Sequence, residues 1–269
     1  MIKKLTVIIL LVLCLCLAEM VIEPGRLEVN EITVQSDQIP QEFNGTDIMV
    51  IGDLHYGEFV DEDRVEEVVN RSNEYNPDIV VLVGDYVTDN EDDVDVVISQ
   101  LDNLESNYGV YAVLGNNDPK NKTEQAINAS SHINSIRNNG TWIEKGGARI
   151  RLGGVGDMST DFQNARVTTG EVADDEFIIL AYHNPNYFDT LNHSRVDLSI
   201  AGHTHGGQVN LFGFSPWVEA SEDGNKYLSG LFKEGMGQLV VTNGVGTTKL
   251  PFRFMATPQI THITLESTA

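Results

Sequence analysis

Asp53, His55, Asp85, Asn116, His183, His203 and His205 share one placement: each directly follows the end of an apolar run, or lies within three residues of it. Asp53 and His55 come after IMVIG, Asp85 after DIVVLVG, Asn116 after GVYAVLG, His183 after EFIILAY, and His203 and His205 after VDLSIAG. Carboxylate and amide oxygens and imidazole nitrogens are the donors that a pair of divalent cations takes. Taken singly, each residue has an ordinary role. An aspartate after a strand turns the chain or caps a helix, and an asparagine fills a left-handed turn. Turn chemistry alone does not account for five loops acting together. Four of the seven histidines fall in them, and only Thr204 separates His203 from His205.

Loops of this kind need strands to carry them. The runs ending at Gly52, Gly84 and Gly115 read as buried strands, and helical spacing follows the first two, over 61–75 and 94–104. A third helical segment is expected over 124–137. Strands alternating with helices predict βαβ units and a mainly parallel sheet, with ligand groups gathered outside the carboxyl ends of the strands. After Gly140, ARIRLGGVG, EFIILAY, VDLSIAG, GQLVVTNG and QITHITL read as strands with few helical windows between them. A second sheet packed on the first is the economical reading.

The chain of 269 residues suits one sizeable domain with a short appendage. Forty acidic against seventeen basic residues give a net charge of −23, a field that repels nucleic-acid backbones. With no basic stripe interleaved with aromatics, nucleic acid is not an expected partner. Both cysteines, Cys14 and Cys16, lie near the start, so neither a disulfide nor a thiolate metal site is expected in the remainder. Two lysines precede an apolar run from Leu5 to Ile22 that is broken only by Thr6 and Glu19. No small-x-small cleavage site follows. Residues 1–22 therefore read as an uncleaved signal anchor or transmembrane helix, a cleaved signal being the alternative. Lys3 and Lys4 would stay cytoplasmic, placing the rest of the chain outside the cell membrane. Residues 23–42 read as a tether and 43–269 as the domain. Asn-x-Ser/Thr sequences at Asn44, Asn121, Asn128, Asn139 and Asn192 are compatible with export.

GDLH, GD, GNND, a strand-end histidine and GHTH, in this order and spacing, resemble the signature of calcineurin-like metallophosphoesterases. The resemblance spans residues 27–266. GHTHGGQ and the ending NGVGTTKLPFRFMATPQITHITL are similar to an exported or single-span prokaryotic branch containing phosphodiesterases and enzymes acting on UDP-diacylglucosamine. The resemblance implies an α/β fold, a four-layer αββα sandwich of two mixed sheets flanked by helices. It implies two divalent ions (Mn, Fe, Zn, Co or Ni). Asp53, His55 and His205 would hold the first, Asn116, His183 and His203 the second, and Asp85 would bridge both. It further implies hydrolysis of a phosphodiester or pyrophosphate bond by a metal-bridging hydroxide. The substrate would be an envelope, lipid-linked or nucleotide compound. Oligomeric state is not legible.

One position departs from that signature. The family's GNHD reads GNND, so Asn117 stands where a histidine contacts phosphate and protonates the leaving group. Asparagine can donate a hydrogen bond but cannot deliver a proton at neutral pH. Either the substrate has a good leaving group or another residue serves as acid. A non-catalytic metal-binding or phosphoryl-sensing membrane protein is the alternative. Asp118 is retained and is expected to orient Asn117; His132 and His193 are spare histidines with no assigned place.

Overall fold

The computed structural model describes residues 2–170, 172–173, 175–191, 195–216, 226–235 and 237–269. It opens on helix α1 (Ile2–Ile22), whose apolar side chains are exposed. From Lys3 to Gly25 the chain is long and apolar enough to cross a membrane. Then follow β1 (Glu28–Ser36), β2 (Thr46–Ile51), α2 (Glu62–Asn73), β3 (Ile79–Leu82), α3 (Glu91–Leu101), β4 (Val110–Ala112), α4 (Lys120–Ala129) and β5 (Ile133–Ser135). The second half contributes β6 (Asn139–Lys145), β7 (Ala148–Gly154), α5 (Arg166–Thr169), β8 (Ile178–Ala181), α6 (Tyr187–Thr190), β9 (Leu198–Ala201), β10 (Gly230–Glu234), β11 (Gly237–Val241) and β12 (Gln259–Ser267).

Two six-stranded mixed sheets result, ordered β1-β12-β2-β3-β4-β5 and β10-β11-β9-β8-β7-β6. Strands β2 to β5 run parallel, as do β7, β8, β9 and β11. Alternation within each strand assigns the faces. Ile48, Val50, Ile79 and Val81 meet Ile150, Leu152, Ile179 and Ile200 between the sheets. Met49, Ile51, Val80 and Leu82 point the other way, under α2 and α3. Those helices bury Val65, Val68, Val69 and Ser72, and Val94, Val97, Ile98 and Leu101, the i, i+3, i+4, i+7 stripe of a helix lying on a sheet. Asp61 and Asn90 cap them by accepting from the backbone N–H of Arg64 and Asp92. The Asn90 cap starts α3 three residues before the apolar spacing shows. Short α6 packs Tyr187 and Phe188 on the far side of the second sheet. The outcome is the four-layer sandwich.

Three expectations are corrected. The helix expected over 124–137 spans 120–129 instead, and β5 follows it. There the Ser130 hydroxyl accepts the N–H groups of His132 and Ile133, offering the backbone an alternative to another helical turn. The last strand, β12, joins the first sheet rather than the second, between β1 and β2. Most of the tether expected over 23–42 is structured, because β1 pairs in parallel with β12 over its full length. Its polar composition is that of an edge strand: among its nine residues only Val34 is buried.

Glu23, just after α1, is buried, and its carboxylate accepts the N–H groups of Met255 (2.9 Å) and Ala256 (2.7 Å). The Arg253 N–H donates to the Met20 carbonyl (3.1 Å). Helix α1 therefore runs into the domain through a hydrogen-bonded joint. Replacing Glu23 by Ala strands two donors and should destabilise the full chain in detergent by about 1–3 kcal/mol, read from its urea midpoint. An unchanged midpoint would show that the contact contributes nothing.

Candidate metal centre

The seven expected ligands converge. Strands β2, β3 and β4 are neighbours in the first sheet, and β8 and β9 in the second. Their carboxyl ends meet along one seam, sewn across by side-chain bonds. Asp53 accepts the His203 N–H through both oxygens (2.9 and 3.0 Å), and His183 Nδ1 lies 2.8 Å from the Val83 carbonyl.

Two clusters form there. In one, Asp53, His55 and His205 offer ligand atoms within 4.8 Å of one another; in the other, Asp85, His183 and His203 do. His55 Nε2 and His205 Nε2 face each other at 3.1 Å, and His203 Nδ1 and His183 Nε2 at 3.0 Å. Asp85 Oδ2 reaches both groups, lying 3.4 Å from His55 Nε2 and 3.2 Å from His183 Nε2. Asn116 Oδ1 is buried with no hydrogen-bond partner, and so is His55 Nδ1.

These observations fit cations. Facing imidazole nitrogens repel unless a proton or a cation sits between them, and a buried amide oxygen without a donor costs free energy. His183 Nδ1–H donates to a backbone carbonyl and leaves Nε2 for coordination, the usual outer bond of a ligating imidazole. Burial pushes down the pKa values of His55, His205 and His203, the last to about 4, so each ring is neutral near pH 7 and keeps one nitrogen free of a proton. Burial works against a charged His183 too, but Asp85 beside it wins and raises it to about 10. Burial, aided by Asp85, raises Asp53 to about 7. Asp85 is itself depressed: against burial, His183 and His55 and the Asn117 N–H hold it ionised.

The backbone is distorted at the same places. Asp53, His55, Asp85, His203 and His205 all have φ between 50° and 73°, the left-handed region that side chains disfavour. Glycine is required beside Asp85. A Cβ at Gly84 would collide with the Gly115 backbone, and one at Gly115 with the Asp85 carboxylate.

Asn117 lines the cavity, with Nδ2 2.7 Å from Asp85 Oδ2 and its backbone N–H 2.9 Å from Oδ1. Asp118 does not orient it. Its carboxylate accepts the N–H groups of Asp85 (2.9 Å), Tyr86 (2.8 Å) and Gly115 (2.8 Å), fastening the β3 and β4 loops together. Asp118, expected to orient Asn117, instead positions the Asp85 loop, because three converging donors outcompete a single side-chain amide. His132 is exposed, bound to the Asp102 carbonyl and outside the cavity lining. His193 and the Asn192 sequence lie outside the described residues.

Residues not picked out from the sequence complete the site. A cavity of ≈ 380 Å³ opens over the clusters, walled also by Thr88, Gln208, Lys249, Leu250 and Phe252. Arg253 is fully buried behind His205. It donates to the carbonyls of His205 (3.3 Å), Asn243 (2.9 Å), Gly244 (3.2 Å), Gly246 (2.5 Å) and Ala256 (2.6 Å). Burial lowers its pKa to about 9, with Asp53 and Glu23 acting against that. It sits in the C-terminal segment that resembles the exported branch, but nothing in its spacing announces a role.

Residues 46–207 match the family model described as calcineurin-like phosphoesterase. An uncharacterized metallophosphoesterase of Bacillus subtilis, YkuE, is 30% identical over 92% of this chain and 88% of its own length. Phosphodiesterase YaeI of Escherichia coli is 29% identical, over 81% of each chain. A transmembrane protein with metallophosphoesterase domain from Danio rerio is 26% identical over 90% of this chain, which spans 57% of that longer protein. The crystal structure of TT1561 from Thermus thermophilus shares the fold, with a TM-score of 0.51 at 12% identity over 75% of this chain and 91% of that one. The chain therefore belongs to the calcineurin-like phosphoesterase family and is a metal-dependent phosphoric ester hydrolase.

Proposed function

We propose that this is a membrane-anchored phosphodiesterase that cleaves a phosphodiester or pyrophosphate bond, with its catalytic domain outside the cytoplasm. The observation that carries the reading is Asp85 Oδ2 within reach of both imidazole clusters on the floor of one cavity. Asp53, His55 and His205 would hold one divalent cation, Asn116, His183 and His203 a second, with Asp85 shared. When bound, such a pair supplies Lewis acidity toward phosphoryl oxygens and acidifies water. The phosphodiesterase name of the Escherichia coli relative supports the bond type, and α1 with its preceding lysines supports the anchor and its orientation.

The chain's own residues supply binding and placement. The Asn117 amide, on the cavity wall, donates to a phosphoryl oxygen without transferring a proton. Lys249 on the same wall offers a cation to an anionic substrate. Asp118 and Arg253 keep the ligand-bearing loops in register. Lacking a histidine at 117, the site suits leaving groups that depart unprotonated, as a phosphoanhydride's phosphate does.

Three outcomes follow. Asp85→Asn should abolish turnover of bis-p-nitrophenyl phosphate and lower the metal content at both sites, measured by elemental analysis. Two retained equivalents with normal turnover would remove Asp85 from the centre. Asn117→His should accelerate esters of poor leaving groups by about 10- to 100-fold and good ones little. Rates unchanged across a leaving-group series would take residue 117 away from the phosphate. A silent wild type made active by that substitution would instead establish a non-catalytic metal protein.

Metal removal should depend on pH. In the metal-free protein His183 is raised to about 10, and burial raises Asp53 and Asp118 to about 7. Groups raised in the folded state contribute stability that is complete below their unfolded pKa. That contribution is lost as pH climbs through about 7 for the carboxyls and about 10 for the imidazole. Depressed Asp85 runs the other way, its contribution lost only at acid pH. Cations compete with these protons better as pH rises. The Tm difference between Mn²⁺-loaded and EDTA-treated protein should therefore widen between about pH 5.5 and about pH 8.5. Calorimetry showing a constant difference would mean that Asp53 and His183 do not bind the metals.

A further inference from the structure

Outside α1, five of the nine exposed large apolar side chains among the described residues lie on two adjoining loops, Leu211, Phe212 and Phe214 on one and Leu250 and Met255 on the other; Phe59, Met158, Phe162 and Val167 lie elsewhere. Phe212 is 91% exposed and sits at φ 57°. An aromatic at the tip of a turn is unfavourable there on both counts, since it pays backbone strain to place apolar surface in water. The turn is rigid nonetheless. Leu211 and Phe214 exchange backbone hydrogen bonds, and Asn210 Oδ1 accepts the Gly213 N–H (2.6 Å). The first loop is tied to the second by the bridge between Val209 and Phe254 and by the Asn210 N–H donating to the Phe254 carbonyl (2.8 Å).

The second loop is tied in turn to the end of α1. Arg253 N–H donates to the Met20 carbonyl, and Met255 N–H to Glu23. The apolar tip therefore stands beside the place where the apolar helix ends. Its charge is equally singular. In a chain with 40 acidic residues, 198–218 and 235–265 contain none, and Lys249 projects from the second stretch. Neither stretch itself adds a carboxylate that an anionic lipid surface would repel.

We propose that the turn 210–214 and the loop 248–255 enter the bilayer surface beside the anchor and set the mouth of the catalytic cavity at headgroup depth. Val209, Lys249 and Leu250 line that cavity, so the wall that dips into lipid is also the wall of the site. The substrate class is then a phosphate ester or anhydride carried by a lipid in the same leaflet. The inference rests on reading α1 as an anchor and the cavity as the phosphoesterase site. The occupant is the lipid itself rather than a protein partner, because continuity with the anchor's end and the absence of acidic residues both point to the membrane surface.

The full chain is reconstituted in phosphatidylcholine–phosphatidylglycerol vesicles containing lipid brominated near the top of the acyl chains. Tryptophan fluorescence is compared for Phe212→Trp, for Val167→Trp on α5 over the β6 edge of the second sheet, and for the unsubstituted protein. Bromolipid should quench the added signal at 212 and leave that at 167 unaffected. Retention through a carbonate wash reports separately on the anchor. Turnover of bis-p-nitrophenyl phosphate reports separately on the site and on folding of the variants. Equal quenching at the two positions in retained, active protein overturns the tip and leaves the anchor and activity standing. Protein lost in the wash overturns anchor and tip together.

Discussion

Burying the Asp85 carboxylate between two imidazole clusters is the demand from which most of the local architecture follows. A buried anion is tolerated only when every oxygen is answered. Here Asn117 answers with its backbone N–H and its amide, and His55 and His183 stand close to Oδ2. The loop that carries Asp85 is fixed in turn by Asp118, which gathers backbone donors from the ends of two strands. Little room remains, which is why the neighbouring positions Gly84 and Gly115 admit no side chain. The left-handed backbone at five of the clustered residues has the same origin. Short loops at strand ends can aim several donors at one point only by leaving the favoured regions of φ and ψ, and the packed sheets beneath supply the stability that offsets the strain.

A second buried charge organises the opposite side. Arg253 binds five backbone carbonyls and sits beneath His205, so the C-terminal loop, the His205 turn and the 243–246 segment move as one piece. Glu23, a buried acid that also acts on Arg253, belongs to the stretch that leaves α1, and it holds Met255 and Ala256. The path from apolar helix to metal cluster is thus a few hydrogen bonds long. An enzyme on a slack tether would sample every orientation to its membrane. Here hydrogen bonds fix the cavity wall that carries Lys249 and Leu250 close to the end of α1, the placement on which the proposed membrane contact rests.

Asn117 stands in the site without disturbing the bonding around Asp85. The amide fits the hydrogen-bonding demands of Asp85 and remains on the cavity wall. On the proposed reading the amide offers a hydrogen bond but no proton, which favours leaving groups that depart unprotonated.

The sequence by itself determined which strand-end residues are the candidate ligands, and the class of chemistry. Strand-end Asp, Asn and His residues are legible because a run of apolar residues and its polar terminus are both local. The helices α2 and α3 were legible for the same reason, through a buried stripe written at fixed spacing. Strand β1 was not, because an edge strand buries little and its polar residues read as a tether; only pairing with β12, more than two hundred residues away, makes it a strand. Sheet membership of β12 was hidden in the same way, since alternation states which face is apolar but not which neighbour covers it. Arg253, Lys249 and the true task of Asp118 were decided by tertiary structure alone. A buried guanidinium bound to backbone carbonyls depends on where three segments meet in space, and nothing in the identity or spacing of those segments records that they will meet.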